Sequence, residues 1–188
     1  MQGHLELVTG PMYSGKTERL LDAVRTLGRD NVVLIKPVVD TRHSSTLLVS
    51  HGGRFAAARP AVGLEAIPRL VGRTEVIGID ELQFFDEEIV GVLEDLRDRG
   101  RQIVAAGLDL DFLRRPFGVV PEVAEIADAV TRLRATCHRC GRPADFTQRL
   151  IGGEPAEPGD DVIRVGGTSL YEARCADCYQ EARSAVLR

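Results

Sequence analysis

Hydrophobic and polar positions along the chain follow two periods, and their alternation lays out the elements. Residues 5–9 (Leu-Glu-Leu-Val-Thr) alternate apolar and polar and predict a strand. Residues 17–25 put Leu20, Leu21 and Val24 at helical spacing, with Glu18 in the first turn, and predict a helix that Gly28 would close. Residues 31–36 are a continuous apolar run of strand length, ended by Pro37, as in a strand buried on both faces. Residues 40–53 are polar and rich in hydroxyls, and predict a long mobile loop. A short strand is expected at 54–58, a helix interrupted by Pro68 at 63–71, and a buried strand at 75–79. Residues 86–99 give the clearest helix: Asp86 as N-cap, Ile89, Val90, Leu93 and Leu96 on one face, and Gly100 as stop. A buried strand at 102–106, a loop at 108–118 carrying Phe112 and Phe117, a short Pro-led helix at 121–127 and an alternating strand at 129–135 complete the first part.

Apolar strands alternating with helices mean an α/β fold, a parallel sheet with helices on both faces. The pattern changes near Cys137, where short strands, glycine pairs and a Pro/acidic turn take over. The expected organisation is a nucleotide-binding α/β domain over 1–136 and a small lobe over 137–188.

The chain of 188 residues is enough for one substantial core with an appendage. A net charge of −4 argues against a broad nucleic-acid-binding face. The first residues lack the basic region and apolar core of a signal peptide, and no apolar run has bilayer-spanning length, so a cytosolic protein without a membrane partner is expected. In that compartment four cysteines read as thiols or metal ligands before disulfides.

The strongest chemical signal is Gly10-Pro11-Met12-Tyr13-Ser14-Gly15-Lys16-Thr17, the G-x-x-x-x-G-K-T phosphate loop, between the first strand and first helix. Glycines let successive N–H groups converge on an anion. Lys16 would reach the β- and γ-phosphates of ATP and the Thr17 hydroxyl would hold Mg²⁺. Such a loop needs a carboxylate at the end of a neighbouring strand, and Asp80 stands there, while Glu81 could take a proton from an attacking hydroxyl. The bland alternative is a solvated acidic pair opening a loop.

Cys137-His138-Arg139-Cys140 and Cys175-Ala176-Asp177-Cys178 are two C-x-x-C pairs with 34 residues between them. Two such pairs complete a closed, structural Cys₄ zinc site. Redox motifs or independent thiols are the alternatives, and His138 reads as a solvated bystander. A phosphate-loop ATPase acting on nucleic acid through a zinc ribbon, with Arg132, Arg134, Arg139 and Arg142 as its basic patch, is a competing whole-chain reading. An inactive nucleotide-binding module is a third.

Taken together the motifs resemble the zinc-containing, tetrameric thymidine kinases. The marks are the phosphate loop, Asp40-Thr41-Arg42, Ile79-Asp80-Glu81-Leu82-Gln83-Phe84-Phe85, Gly107-Leu108-Asp109, Phe112, Arg115-Pro116-Phe117-Gly118, Val165-Gly166-Gly167, Tyr171 and the cysteine pairs. The resemblance implies a RecA-like phosphate-loop fold and transfer of the ATP γ-phosphate to the 5′-hydroxyl of thymidine, with deoxyuridine as a further substrate, in nucleotide salvage. It implies Glu81 as general base, Thr17 and Asp80 at the magnesium, and Gly10 to Thr17, Asp40, Thr41, Arg42, Asp80, Glu81, Leu82 and Gln83 at the nucleotide. Phe112 matches the aromatic residue against thymine, and Val162, Ile163, Arg164, Val165, Gly166 and Tyr171 match a lasso loop over the nucleoside. A homotetramer and feedback inhibition by dTTP are also implied. Leu82 departs from a usual Ala or Gly, and Arg164 from a usual apolar residue.

Overall fold

The computed structural model describes residues 2–28, 31–38, 46–49, 52–157 and 170–181. The first part runs β1 (His4–Thr9), α1 (Lys16–Gly28), β2 (Val32–Pro37), β3 (Leu47–Val49), β4 (Phe55–Ala57), β5 (Arg59–Ala61), a 3-10 turn (Leu64–Ala66) and α2 (Ile67–Val71). It continues with β6 (Val76–Ile79), a second 3-10 turn (Leu82–Phe84), α3 (Ile89–Asp98), β7 (Gln102–Gly107), α4 (Val120–Ile126) and β8 (Ala129–Arg132). The last part is β9 (Ala135–Thr136), β10 (Pro143–Ala144), β11 (Phe146–Ile151), β12 (Glu154–Pro155) and β13 (Tyr171–Arg174).

Six strands form one sheet in the order β5-β2-β6-β7-β1-β8, and every neighbouring pair is parallel. Strand periodicity divides the core. Leu5, Leu7, Val33, Ile35, Ile77, Ile79, Ile103 and Ala105 face α2, α3 and α4. Val8, Leu34, Val104 and Ala106 face the other way, onto Leu20, Leu21, Ala23 and Val24 of α1. Helices on both faces of a parallel sheet are what the strand–helix alternation predicts.

The differences from the sequence pattern have local causes. The expected loop at 40–53 contains a strand, β3, which pairs antiparallel with β4. This hairpin lies on α1, because Leu48 is buried beside its helix-facing core and Arg54 pairs with Asp22 at 2.6 Å. Pro68 does not interrupt a helix; it sits in the first turn of α2, where a missing N–H costs nothing. The helix expected from Asp86 begins at Ile89 without a side-chain cap, and Asp86 instead accepts the Ile89 N–H through its carbonyl in the preceding turn. Gly28 is not in the left-handed region; a Cβ there would come 2.8 Å from Val76, so helix–sheet contact requires the glycine. The strand expected at 129–135 is two: β8 ends the large sheet, and β9 pairs with β10 in the following lobe.

That lobe joins β9–β10 to a three-stranded sheet in the order β12-β11-β13. Its small core is Ala135, Cys137, Ala144, Ala173, Cys175 and Cys178, with Tyr13 of the first part packed against it. Among the described residues, no helix is long and apolar enough to cross a membrane.

Candidate active site

The carboxyl ends of three adjacent strands, β6, β7 and β1, deliver the three segments that meet at one edge of the sheet. β1 runs directly into the phosphate loop and α1, the context the motif requires. Gly10 adopts φ +140°, and a Cβ on it would lie 2.4 Å from the Leu133 carbonyl oxygen, so the turn is open to glycine alone. Gly15 is at φ +84°. Within the loop Ser14 N–H donates to the Pro11 carbonyl, and Lys16 Nζ donates to the same oxygen at 2.8 Å. The loop thus holds its ammonium folded over its own backbone, at the amino end of α1.

Asp80 follows β6 and is 5 % exposed. Thr17 Oγ1 donates to its Oδ2 at 2.9 Å, and the Glu81 N–H donates to its Oδ1 at 3.0 Å. The strand-end carboxylate and the loop hydroxyl are therefore one unit. Hydroxyl and carboxylate oxygens side by side suit a hard divalent cation such as Mg²⁺. Glu81 stands in the left-handed region at φ 54°, ψ 43°. Backbone strain at a non-glycine residue persists only where its surroundings hold it. Here Asp80 holds the Glu81 N–H, and Gln83 Nε2 donates to Glu81 Oε2 at 2.6 Å. Gln83 is itself buried, and its Oε1 accepts the Leu108 N–H at 3.0 Å, which ties the acidic pair to the segment leaving β7.

Leu82 lies fully buried in the core with Ile79, Ile89 and Val120. Its side chain is part of the core below the site. Phe112 is buried, with the Arg149 guanidinium 5.2 Å above its ring and its carbonyl accepting the Tyr179 hydroxyl at 2.7 Å. Burial raises the pKa of that hydroxyl, which keeps it a donor. Phe117 makes an edge contact with Phe84 at 5.9 Å. Tyr171 opens β13 and is buried. Asp40, Thr41 and Arg42, and Val162, Ile163, Arg164, Val165 and Gly166 of the expected lasso, lie outside the described residues.

The four cysteine Sγ atoms all lie within 4.8 Å of one another, and Cys140 and Cys175 are 3.6 Å apart. A tetrahedral ion with zinc–sulfur bonds of about 2.3 Å separates its sulfurs by about 3.8 Å, so the cluster fits a structural Zn²⁺. The hydrogen bond from Arg142 draws the Cys140 thiol down to about 6. Its bond to Cys140 and burial push Cys178 up to about 12. Four crowded thiolates would repel one another, and a dication among them would offset that charge. Arg142 donates to Cys140 Sγ at 3.4 Å and to Cys175 Sγ at 3.8 Å.

His138 is not the bystander its exposure suggests. Its Nδ1 accepts the Ala173 N–H at 3.0 Å, and its ring lies 4.9 Å from that of Tyr13. Sequence reasoning also missed Thr147, Gln148 and Arg149, three consecutive polar residues buried on β11. A polar run at strand positions that the fold buries was the available signal. The arginines of the competing nucleic-acid reading are largely paired: Arg132 with Asp109, Arg134 with Asp145 and Arg142 with Asp177, at 2.7, 2.8 and 2.7 Å.

Against known protein families, residues 3–179 match the family described as thymidine kinase.

Proposed function

The chain belongs to the thymidine kinase family and is a phosphotransferase; on that premise we propose that it moves the γ-phosphoryl group of ATP to the 5′-hydroxyl of thymidine, giving dTMP and ADP, with Glu81 as general base. The observation that carries this reading is the joining of phosphate loop and acidic pair by the Thr17–Asp80 hydrogen bond, with Glu81 next in the chain. Phosphoryl transfer asks chiefly for position and charge neutralisation. The loop N–H groups and Lys16 hold the phosphates. Thr17 and Asp80 would hold Mg²⁺, which when bound offsets charge on the β- and γ-phosphates. Glu81 accepts the proton of the 5′-hydroxyl as that oxygen bonds to the γ-phosphorus, while the bond from the γ-phosphorus to the β–γ bridging oxygen breaks and ADP leaves. Gln83 keeps the Glu81 carboxylate aimed.

The nucleoside end of the reading rests on Phe112 and Tyr171, with Val162 to Gly166 as main-chain contacts to the base and Asp40 to Arg42 beside the nucleotide. Deoxyuridine, which lacks only the thymine methyl, is a second substrate in this reading. In this reading the lobe, which takes in β9 from Ala135 onward, carries structural zinc and anchors the lasso, and the residues before it form the nucleotide-binding part. A homotetramer, cytoplasmic location, a role in nucleotide salvage and feedback inhibition by dTTP complete the proposal.

The test is ADP release from Mg·ATP with and without thymidine, with Glu81→Gln as control. Thymidine-dependent turnover that falls by roughly 10²–10⁴-fold in the variant, the contribution of a general base, is expected. ADP release that ignores nucleosides and rises with nucleic acid would overturn the proposal in favour of the zinc-ribbon ATPase.

A further inference from the structure

The phosphate loop is held from outside its own domain. Met12 N–H donates to Thr147 Oγ1 of β11 at 3.0 Å, and the Tyr13 hydroxyl donates to the Tyr171 carbonyl of β13 at 3.0 Å. The Tyr13 ring packs on the core that contains Cys137, Cys175 and Cys178, and against His138, which lies between the first two cysteines in sequence. His138 is fixed in turn by the Ala173 N–H, two residues before Cys175. Tyr13 stands at φ 66°, a left-handed conformation that a tyrosine keeps only where its surroundings hold it. Those surroundings are the lobe.

We propose that the four-cysteine lobe is a positioning element for the phosphate loop, so that metal retention and nucleotide binding are coupled through Thr147, Tyr13 and His138. The proposal rests on reading the loop as the ATP site and the cysteines as a zinc site. The lobe shapes the anion cradle from behind: Thr147 fixes the direction of the Met12 peptide, and Tyr13 transmits the seating of the β9–β10 cysteine turn. Loss of metal frees that turn, and the strained Tyr13 backbone loses its restraint. Linkage makes the effect reciprocal: nucleotide must strengthen zinc retention by the factor with which zinc strengthens nucleotide binding.

The chain offers its own spectroscopic reporter. It has three tyrosines and no tryptophan, and all three, Tyr13, Tyr171 and Tyr179, lie at this junction or just after the last cysteine. Two of the three, Tyr13 and Tyr171, are joined across the seam, so tyrosine emission reports on it, with Tyr179 beside Phe146 as a second contribution.

The experiment uses zinc-loaded enzyme without nucleoside. Zinc retention against a metal-responsive dye is measured with and without Mg·ATP. Mg·ATP affinity is measured by calorimetry for wild type, Thr147→Val and Tyr13→Phe, with zinc content checked for each. The expected result is tighter zinc retention in Mg·ATP, by about 5–150-fold, the usual range of coupling between sites. Both variants should keep one zinc per chain, bind Mg·ATP more weakly and lose part of the zinc effect, and zinc removal should change tyrosine emission. Unchanged zinc retention in saturating Mg·ATP, with wild-type affinity in both variants, would overturn the coupling and leave the lobe as an anchor for the lasso alone. Wild-type enzyme that holds zinc but binds no Mg·ATP would instead sink the nucleotide reading, and the coupling with it. Tyr13→Phe keeps the ring packing and so serves as the test if Thr147→Val does not fold.

Discussion

The amide of Gln83 bridges the Glu81 carboxylate and the Leu108 main chain, at 2.6 Å on one side and 3.0 Å on the other. Both ends of one buried side chain are used. The residue following β7 thereby sets where the proposed base points. Gln83→Leu should lower kcat by roughly 10-fold or more, the rate equivalent of one hydrogen bond to a charged group, with little change in KM for ATP. Because Gln83 acts through Glu81, the double variant with Glu81→Gln should be no slower than Glu81→Gln alone. Additive losses would mean that Gln83 touches the nucleotide directly.

Gly118 closes the other side of the same bridge. Its φ is +55°, and a Cβ there would sit 2.2 Å from the Gln83 carbonyl oxygen. Backbone cannot yield as a flexible side chain can. Gly118→Ala should cost about 1–3 kcal/mol in conformation alone, and more through the clash. Thermal unfolding measures the first effect. A fall in kcat in the folded fraction measures the second, since Gln83 must shift.

Each carboxylate oxygen of Asp80 accepts a hydrogen bond, Oδ2 from the Thr17 hydroxyl and Oδ1 from the Glu81 N–H. Asp80→Asn removes the charge while keeping the shape. The Mg²⁺ concentration for half-maximal turnover should rise, and kcat should fall with it. An unchanged Mg²⁺ dependence would place the ion elsewhere.

Leu82 is fully buried among Ile79, Ile89 and Val120. Truncating a buried leucine costs about 2–5 kcal/mol, most where the neighbours cannot collapse into the space. Leu82→Ala should therefore lower the melting temperature while leaving the ratio of thymidine to deoxyuridine turnover unchanged. A changed ratio would show that the residue reaches the nucleoside after all.

The sheet was legible because parallel strands buried on both faces read as plain apolar runs, as residues 32–35 and 76–79 do. The phosphate loop and the cysteine pairs were legible because their chemistry demands fixed local spacing. What escaped was set by partners distant in sequence. Thr147 reads as an ordinary strand residue until Met12 arrives from 135 positions away. Asp86 has the composition of a helix cap, but the turn from 86 to 89 used its carbonyl instead. Gly28 has the composition of a helix stop, but Val76 across the sheet is what requires it. Gln83 was placed with the nucleotide on motif grounds, and its side-chain link between Glu81 and Leu108 is a further tie that no local spacing announces.

Arg142 gives the last prediction. Its guanidinium donates to two of the four cysteine sulfurs and pairs with Asp177 at 2.7 Å. Four thiolates on one Zn²⁺ carry a net charge of about −2, and a cation against two of them offsets part of it. Partners in this outer layer typically account for about 10–100-fold in metal affinity. Arg142→Ala should weaken zinc retention by that order in competition with a chelator, while Arg142→Lys, which keeps the charge but loses the fork, falls between. The Asp177 carboxylate sharpens the expectation, since without Arg142 it adds an uncompensated negative charge beside the cluster. Asp177→Ala in the Arg142→Ala background should then recover part of the loss. Equal zinc affinity in all four proteins would mean that the cysteines hold the metal without help from the surrounding charge.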